Sequence, residues 1–484
     1  MQPNHDVDPD ELATARREVR RALGSELASK GSDAFCLATV RRNTGRGPAF
    51  GLEAVAPAAA GAPVPAVVEF VEHESVPQVP RVTERADWPQ LSGTVASLDA
   101  ELPAGALVRV SAILRQALAA SVRNDGYRVI SPVYDEVERL SGSPLRAAPE
   151  VLGAPQIPTM VTQVCWLNRT MRTWAGPEAL AEVAGAGAVT LVDVPRRIMP
   201  DAATRNHVAI GLPGFLAHAS LTGDGVTVAV IDSEVALAHP ALEGRVVHRR
   251  NYTPEPWGNP DLHGTAVAGI IGGDNPERGG IAPGVVIYNY KVMATNRFLN
   301  GDDFGGALAL QQALEDGVDI ANCSWGAGPV GPTPSREARA ADTAWALGLA
   351  IVKSAGNAGP RAASMTTPAD ATGIIVVGAT DLDGRELQPY SSRGPAAAKP
   401  GPDVLAPGGA SAAAIECCLV TGGFGDAGFG TSYAAPHVSG LLALLLQREP
   451  HLVPDQLRER LRSSARPLPS LAADAQGAGL IQAA

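Results

Sequence analysis

From Gly223 onward the chain alternates apolar, Val/Ile-rich runs with segments of helical spacing, and that alternation leaves few folds open to it. The runs cover residues 226–232, 285–292, 318–324, 349–354 and 373–379; residues 265–271, 304–315 and 336–347 lie between them with helical periodicity. A run that is apolar throughout is what a strand buried on both faces requires. Strands separated by helices run parallel. The expected class is therefore α/β, with a doubly wound, mainly parallel sheet. In such sheets ligands bind at the carboxyl ends of the strands.

Three chemistry-bearing residues fall at such ends and corners. Asp232 closes Val226-Thr-Val-Ala-Val-Ile-Asp232-Ser. His263 opens a small-residue helix in Asp261-Leu-His263-Gly-Thr-Ala-Val-Ala-Gly. Ser432 stands at the first turn of an apolar helix in Phe429-Gly-Thr-Ser432-Tyr-Ala-Ala-Pro-His-Val-Ser-Gly. An acid, an imidazole and a hydroxyl are the parts of a base-activated serine nucleophile. Each also has a plain structural reading: a helix cap for Asp232, a loop histidine for His263, an N-capping serine for Ser432. A carboxylate ending an apolar strand nevertheless needs donors, which an imidazole supplies. A helix N-terminus offers unpaired N–H groups and partial positive charge to a developing oxyanion.

Asn357, in Lys353-Ser-Ala-Gly-Asn-Ala-Gly after the run 349–352, can donate to the same oxyanion. Its plain reading is a left-handed turn. Pro436 is expected in the first turn of its helix, where no internal donor is lost. Gly430-Thr-Ser432-Tyr-Ala434 lacks the second glycine of a Gly-x-Ser-x-Gly elbow, which counts against an α/β-hydrolase esterase.

The first 200 residues are mixed. Residues 11–27 have helical periodicity with charges on one face, and 45–85 are rich in Ala, Pro and Gly around the strand-like Ala66-Val-Val-Glu-Phe-Val-Glu. Residues 107–114 alternate like a strand and run into a helix candidate at 114–122. Over 161–199, a strand, a short helix from Gly176 and a second strand from Ala188 read as a β-α-β unit, half of a ferredoxin-like domain. The expected division is an N-terminal region of unclear fold (1–150), the β-α-β segment (151–200) and a catalytic domain (201–484).

A net charge of −11 argues against nucleic acid or an anionic membrane as partner. No basic n-region or apolar h-region opens the chain, and the longest apolar run, 438–446, falls short of the roughly 20 residues that span a bilayer. Five cysteines without an export signal read as reduced thiols of a cytoplasmic protein.

From about Gly211 to its end the chain resembles the subtilisin-like serine peptidases, the subtilases. The motifs are Val-Ala-Val-Ile-Asp232-Ser, His263-Gly-Thr-Ala-Val-Ala-Gly, Gly280-Ile-Ala-Pro, Ser324-Trp-Gly, Ala355-Gly-Asn357, Asp403-Val-Leu-Ala-Pro-Gly and Gly430-Thr-Ser432-Tyr-Ala-Ala-Pro-His-Val-Ser-Gly. The resemblance implies a serine endopeptidase acting on peptides or proteins through an acyl-enzyme. Ser432 is then the nucleophile, His263 the general base, Asp232 its orienting partner and Asn357 the oxyanion donor. It implies that Ser324, Trp325 and Gly326, with Ala355 and Gly356, bind an extended substrate backbone as an added strand. Trp325 stands where the family usually has a smaller apolar residue, which implies a reshaped apolar non-prime pocket.

Glu234 departs from the glycine that normally follows Asp-Ser/Thr, and Ala266 from a frequent second histidine. No cofactor is implied; Asp274, Asn275 and Glu277 are candidates for a calcium site where a solvated turn is the alternative. Segment 161–199 is similar to the family's pro-domain, an intramolecular chaperone and inhibitor. Its tail, 195–201, would then pass through the active site, with processing near 198–206; the alternative is a permanently attached accessory domain. Alternatives for the activity are a peptide ligase or macrocyclase, a leader-peptide-trimming protease of a peptide maturation pathway, and a peptide-binding pseudoenzyme.

Overall fold

The computed structural model describes residues 221–484 apart from 276, 277, 329, 332, 398 and 484, together with 64–70, 159–165, 170–175, 184–185, 189–193, 199–200 and 209–212. The helix expected over 11–27 and the elements expected over 107–122 lie outside the described residues. Two compact units divide the chain: residues 1–78 with 123–197, and 79–122 with 198–484.

In the first unit, β1 (Val64–Phe70), β2 (Thr159–Cys165), β3 (Thr170–Ala175) and β4 (Val189–Asp193) form a sheet ordered β2-β3-β1-β4. All neighbours are antiparallel. This corrects the β-α-β expectation for 161–199. The chain turns back after Cys165 into β3, and the helical residues 184–185 come after that strand, so the order is β-β-α-β. Strand β3 reads Thr-Met-Arg-Thr-Trp-Ala and contains no apolar run, so the sequence pattern passes over it.

The second unit is built on seven parallel strands: β6 (Thr227–Asp232), β7 (Val246–Asn251), β8 (Val286–Lys291), β9 (Ile320–Cys323), β11 (Ala350–Ser354), β12 (Ile375–Thr380) and β13 (Val404–Pro407). Their order is β13-β12-β11-β9-β6-β8-β7. Two further short strands, β5 (Met199–Pro200) and β10 (Trp325–Gly326), pair antiparallel with each other. The five strands and three helices expected beyond Gly223 are present, with ends shifted by at most three residues. Strands β9, β11, β12 and β13 are buried at every position, as their composition requires. Edge strand β7, Val-Val-His-Arg-Arg-Asn, has only half-buried and exposed residues and offers no such signal.

The helices that position the site are α1 (Leu262–Gly272), α2 (Asp303–Glu315), α3 (Arg336–Ala346) and α4 (Thr431–Arg448). Helix α4 packs on β9, β11, β12 and β13 with α1 beside it, while α2 and α3 pack together and reach β6 and β11. Glycine lets α1 come close to the sheet: a Cβ on Gly264 would lie 2.5 Å from the carbonyl oxygen of Ser233. From β6 the chain proceeds to β7 and β8 on one side, and from β9 to β11 on the other. The crevice between the carboxyl ends of β6 and β9 is therefore the topological switch point. Asp232 ends one of these strands and Ser324 follows the other. Among the described residues no helix is long and apolar enough to cross a membrane.

Candidate active site

At the end of β6, the fully buried Asp232 accepts a hydrogen bond from His263, with Oδ1 2.7 Å from Nδ1. The same oxygen takes the Ser233 backbone N–H at 2.7 Å and the Ser233 hydroxyl at 3.3 Å. A carboxylate can only accept, so Nδ1 carries the imidazole hydrogen and Nε2 keeps its lone pair in the neutral ring. His263 lies in the first turn of α1, begun by Asp261, whose carboxylate caps the His263 N–H at 2.8 Å. The imidazole packs 5.1 Å, centroid to centroid, from the ring of Tyr433, the residue after Ser432. Burial pushes the Tyr433 phenol well above its ordinary value, so this wall of the site is uncharged.

Ser432 is the second residue of α4 and fully buried. The helix starts after Gly430, at φ +152°, without a side-chain cap, so Ser432 is not an N-capping residue. Its hydroxyl donates to the carbonyl oxygen of Ser324 at 2.8 Å. Pro436 is not in the first turn, as expected, but is the sixth helical residue. There it removes the N–H that would have bonded the Ser432 carbonyl four residues back. That carbonyl instead accepts from the Ser324 hydroxyl at 2.5 Å. The Ser324 hydroxyl accepts in turn from Asn322 Nδ2 at 2.9 Å, and Asn322 Oδ1 accepts from Ser439 at 2.9 Å. The chain Ser439–Asn322–Ser324 thus anchors the start of α4 to β9. The anchoring roles of Asn322 and Ser439 are not among the sequence expectations, although an asparagine within an apolar run is a visible signal.

Asn357 follows β11. Its Oδ1 accepts from the Thr431 N–H at 2.9 Å and the Thr431 hydroxyl at 3.0 Å, and that hydroxyl accepts from the Gly356 N–H at 3.1 Å. Two donors on the oxygen fix the amide's orientation and leave the Nδ2 hydrogens for another acceptor. In the first turn of α4 the Ser432 N–H has no intrahelical acceptor. The corner therefore offers two N–H donors beside one hydroxyl.

Trp325 is fully buried, and Gly326 beside it faces Gly356 across Thr366. A Cβ on either glycine would fall within 3 Å of the Thr366 hydroxyl. Ala355 accepts from the Thr366 N–H at 3.1 Å. The backbone of Trp325–Gly326 is engaged by Met199–Pro200 in antiparallel register, Trp325 opposite Pro200 and Gly326 opposite Met199. Just before Ser324, burial raises the Cys323 thiol to about 12.

The calcium candidates are otherwise engaged. Asp274 pairs with Arg245, and Asn275 Oδ1 accepts from the Arg278 N–H at 2.8 Å. Glu277 lies outside the described residues. Among those described, no group of three His, Cys, Asp or Glu side chains could hold a metal ion.

Residues 223–479, more than half of the chain, match the subtilase family model. The chain is 31% identical over 297 residues to the serine protease AprX of Bacillus subtilis, covering 54% of this chain and 66% of AprX. It is 34% identical over 251 residues to subtilisin E of the same organism, covering 50% of this chain and 61% of that one. It thus spans roughly two thirds or less of these relatives. Among solved structures, fervidolysin of Fervidobacterium pennivorans, a keratinolytic enzyme related to subtilisin, superposes with a TM-score of 0.57. That match covers 73% of this chain and 59% of fervidolysin at 21% identity, a likeness of fold.

Proposed function

Because the chain belongs to the subtilase family, we propose that it is a serine endopeptidase that cleaves peptide or protein substrates through an acyl-enzyme on Ser432. The observation that carries this reading is the 2.7 Å contact between His263 Nδ1 and Asp232, which leaves Nε2 as a base. Ser432 Oγ attacks the scissile carbonyl carbon while its hydrogen passes to His263 Nε2, and Asp232 stabilises the imidazolium. The oxyanion takes hydrogen bonds from Asn357 Nδ2 and the Ser432 N–H. The carbon–nitrogen bond then breaks and the leaving amine takes the proton from His263. Water, deprotonated by the same imidazole, releases the acyl group and restores Ser432.

The non-prime part of a substrate would extend along Ser324, Trp325 and Gly326 as an added strand. The pairing with Met199–Pro200 supports a second element of the proposal: the chain's own N-terminal region acts as inhibitor and is cut by the enzyme itself. Self-cleavage would then fall near residues 198–206, beside this pair. The strand order β2-β3-β1-β4 supports reading the first unit as a ferredoxin-like pro-domain.

A fluorophosphonate probe tests the nucleophile: it should label the wild type at Ser432 and leave Ser432→Ala unmodified. Intact mass tests self-processing. The Ser432→Ala chain should stay at 49.7 kDa while the wild type gives a new N-terminus near residues 198–206. An active wild-type preparation made only of uncut chain would refute the processing step alone.

A further inference from the structure

Glu234 stands two residues beyond Asp232, where a glycine is expected, and its carboxylate is buried. The fully buried ammonium of Lys291 lies 3.0 Å from Glu234 Oε2 and 2.9 Å from Glu255 Oε2, and donates to the Pro256 carbonyl at 3.1 Å. Glu234 also accepts from the N–H groups of Gly258 at 2.8 Å and Asn259 at 3.2 Å. Glu255 accepts from those of Thr295 and Asn296, both at 3.1 Å. The ring of Trp257 lies 5.6 Å from Lys291 Nζ and 4.6 Å from the Arg249 guanidinium, which approaches Glu234 Oε1 at 4.0 Å. Burial alone would raise the Glu255 carboxyl, but Lys291 and the two N–H donors outweigh it and hold the group below its ordinary value.

Each arm of this cluster comes from an element that bears on His263 or Asp232. Lys291 is the sheet-register partner of Asp232. Glu234 follows Asp232 directly after Ser233. Glu255 belongs to the connection from β7 to α1, which ends in Asp261. The Asp261 N–H donates to the Glu234 carbonyl at 2.9 Å, its side chain caps α1, and the Gly264 N–H donates to the Ser233 hydroxyl at 2.9 Å.

We propose that Lys291, bridging Glu234 and Glu255, is a positioning residue for the general base: it pins the 255–261 connection to the end of β6 and so sets the contact between His263 and Asp232. The inference rests on His263 being the base. The three side chains act through the backbone they hold, not by touching substrate.

The experiment compares wild type with Lys291→Met and Glu255→Gln, each checked for folding by circular dichroism. Two readouts are followed: the fluorophosphonate inactivation rate at saturation, and the low-field proton resonance of His263 Nδ1. In a folded variant, inactivation should slow 10- to 100-fold at an unchanged half-saturating probe concentration. The Nδ1 proton should move upfield or broaden away. A merely structural role would lower the melting temperature and leave both unmoved, and either folded variant behaving so overturns the proposal. If Lys291→Met does not fold, Glu255→Gln, which keeps the side chain's shape, decides. A wild type that never reacts with the probe counts against the proposed peptidase instead, and the proton resonance alone then judges the clamp.

Discussion

The hydroxyl of Ser324 donates to the carbonyl oxygen of Ser432 at 2.5 Å, at the one place in the first turns of α4 where Pro436 has no N–H to offer. A buried carbonyl left without a donor costs about 1–3 kcal/mol. Ser324→Ala should therefore lose stability of that order and displace the start of α4, lowering kcat. Pro436→Ala restores the missing N–H, so the double variant should recover part of the loss. Urea denaturation of the two single variants and the double closes the cycle, and strict additivity would refute the coupling.

Asn357→Ala should lower kcat by about 10²- to 10³-fold with KM nearly unchanged, the signature of a donor that acts in the transition state. Thr431→Val removes one of the two hydrogen bonds that orient the amide, worth about 1 kcal/mol, and should cost roughly 5-fold in kcat. Steady-state kinetics on a peptide anilide would separate the two parameters.

Stability should fall on the alkaline side. Burial pushes the Cys323 and Cys418 thiols from an ordinary value of 9.0 up to about 12, and raises the Tyr433 phenol too. An unfolded chain releases these thiol protons above pH 9 while the folded chain holds them. The thiols' contribution to stability is thus intact below pH 9 and declines as pH climbs toward 12, by about a factor of ten in the folding constant per pH unit per thiol. Lys399 works the other way, since burial lowers its value and favours the folded state as pH rises. Urea midpoints at pH 8, 9.5 and 11 should show the net decline, less steep in Cys323→Ala. In the folded protein Cys323 and Cys418 should resist iodoacetamide at pH 8.

Chelation should leave the surroundings of Asp274 and Asn275 unaffected. Asp274 is committed to Arg245 and Asn275 to the Arg278 N–H, so excess chelator should not move the thermal midpoint. A drop reversed by calcium would return Asp274 and Asn275 to the ligand set.

The strands that build the site were legible because burial on both faces demands unbroken apolar runs, as in Val-Ala-Val-Ile before Asp232. Strand β7 was not legible: with one edge open it keeps His248, Arg249 and Arg250 half-buried or exposed. Asp232, His263 and Ser432, the proposed reacting residues, stood out because each sits on a corner of glycines and small side chains. What holds them stayed hidden, since it joins positions with no local pattern. Ser324 meets Ser432 108 residues away, and Lys291 meets Glu234 57 residues away. Pro436 was misplaced for a related reason: a proline within a helix is tolerable only where some distant group serves the carbonyl it strands.

The pairing of Met199–Pro200 with Trp325–Gly326 is made within a single polypeptide. Its occupancy therefore does not depend on how much protein is in solution, and thousandfold dilution leaves that edge as covered as before. Only a break in the connecting backbone turns the covering strand into a separate molecule, able to diffuse off and to be outcompeted.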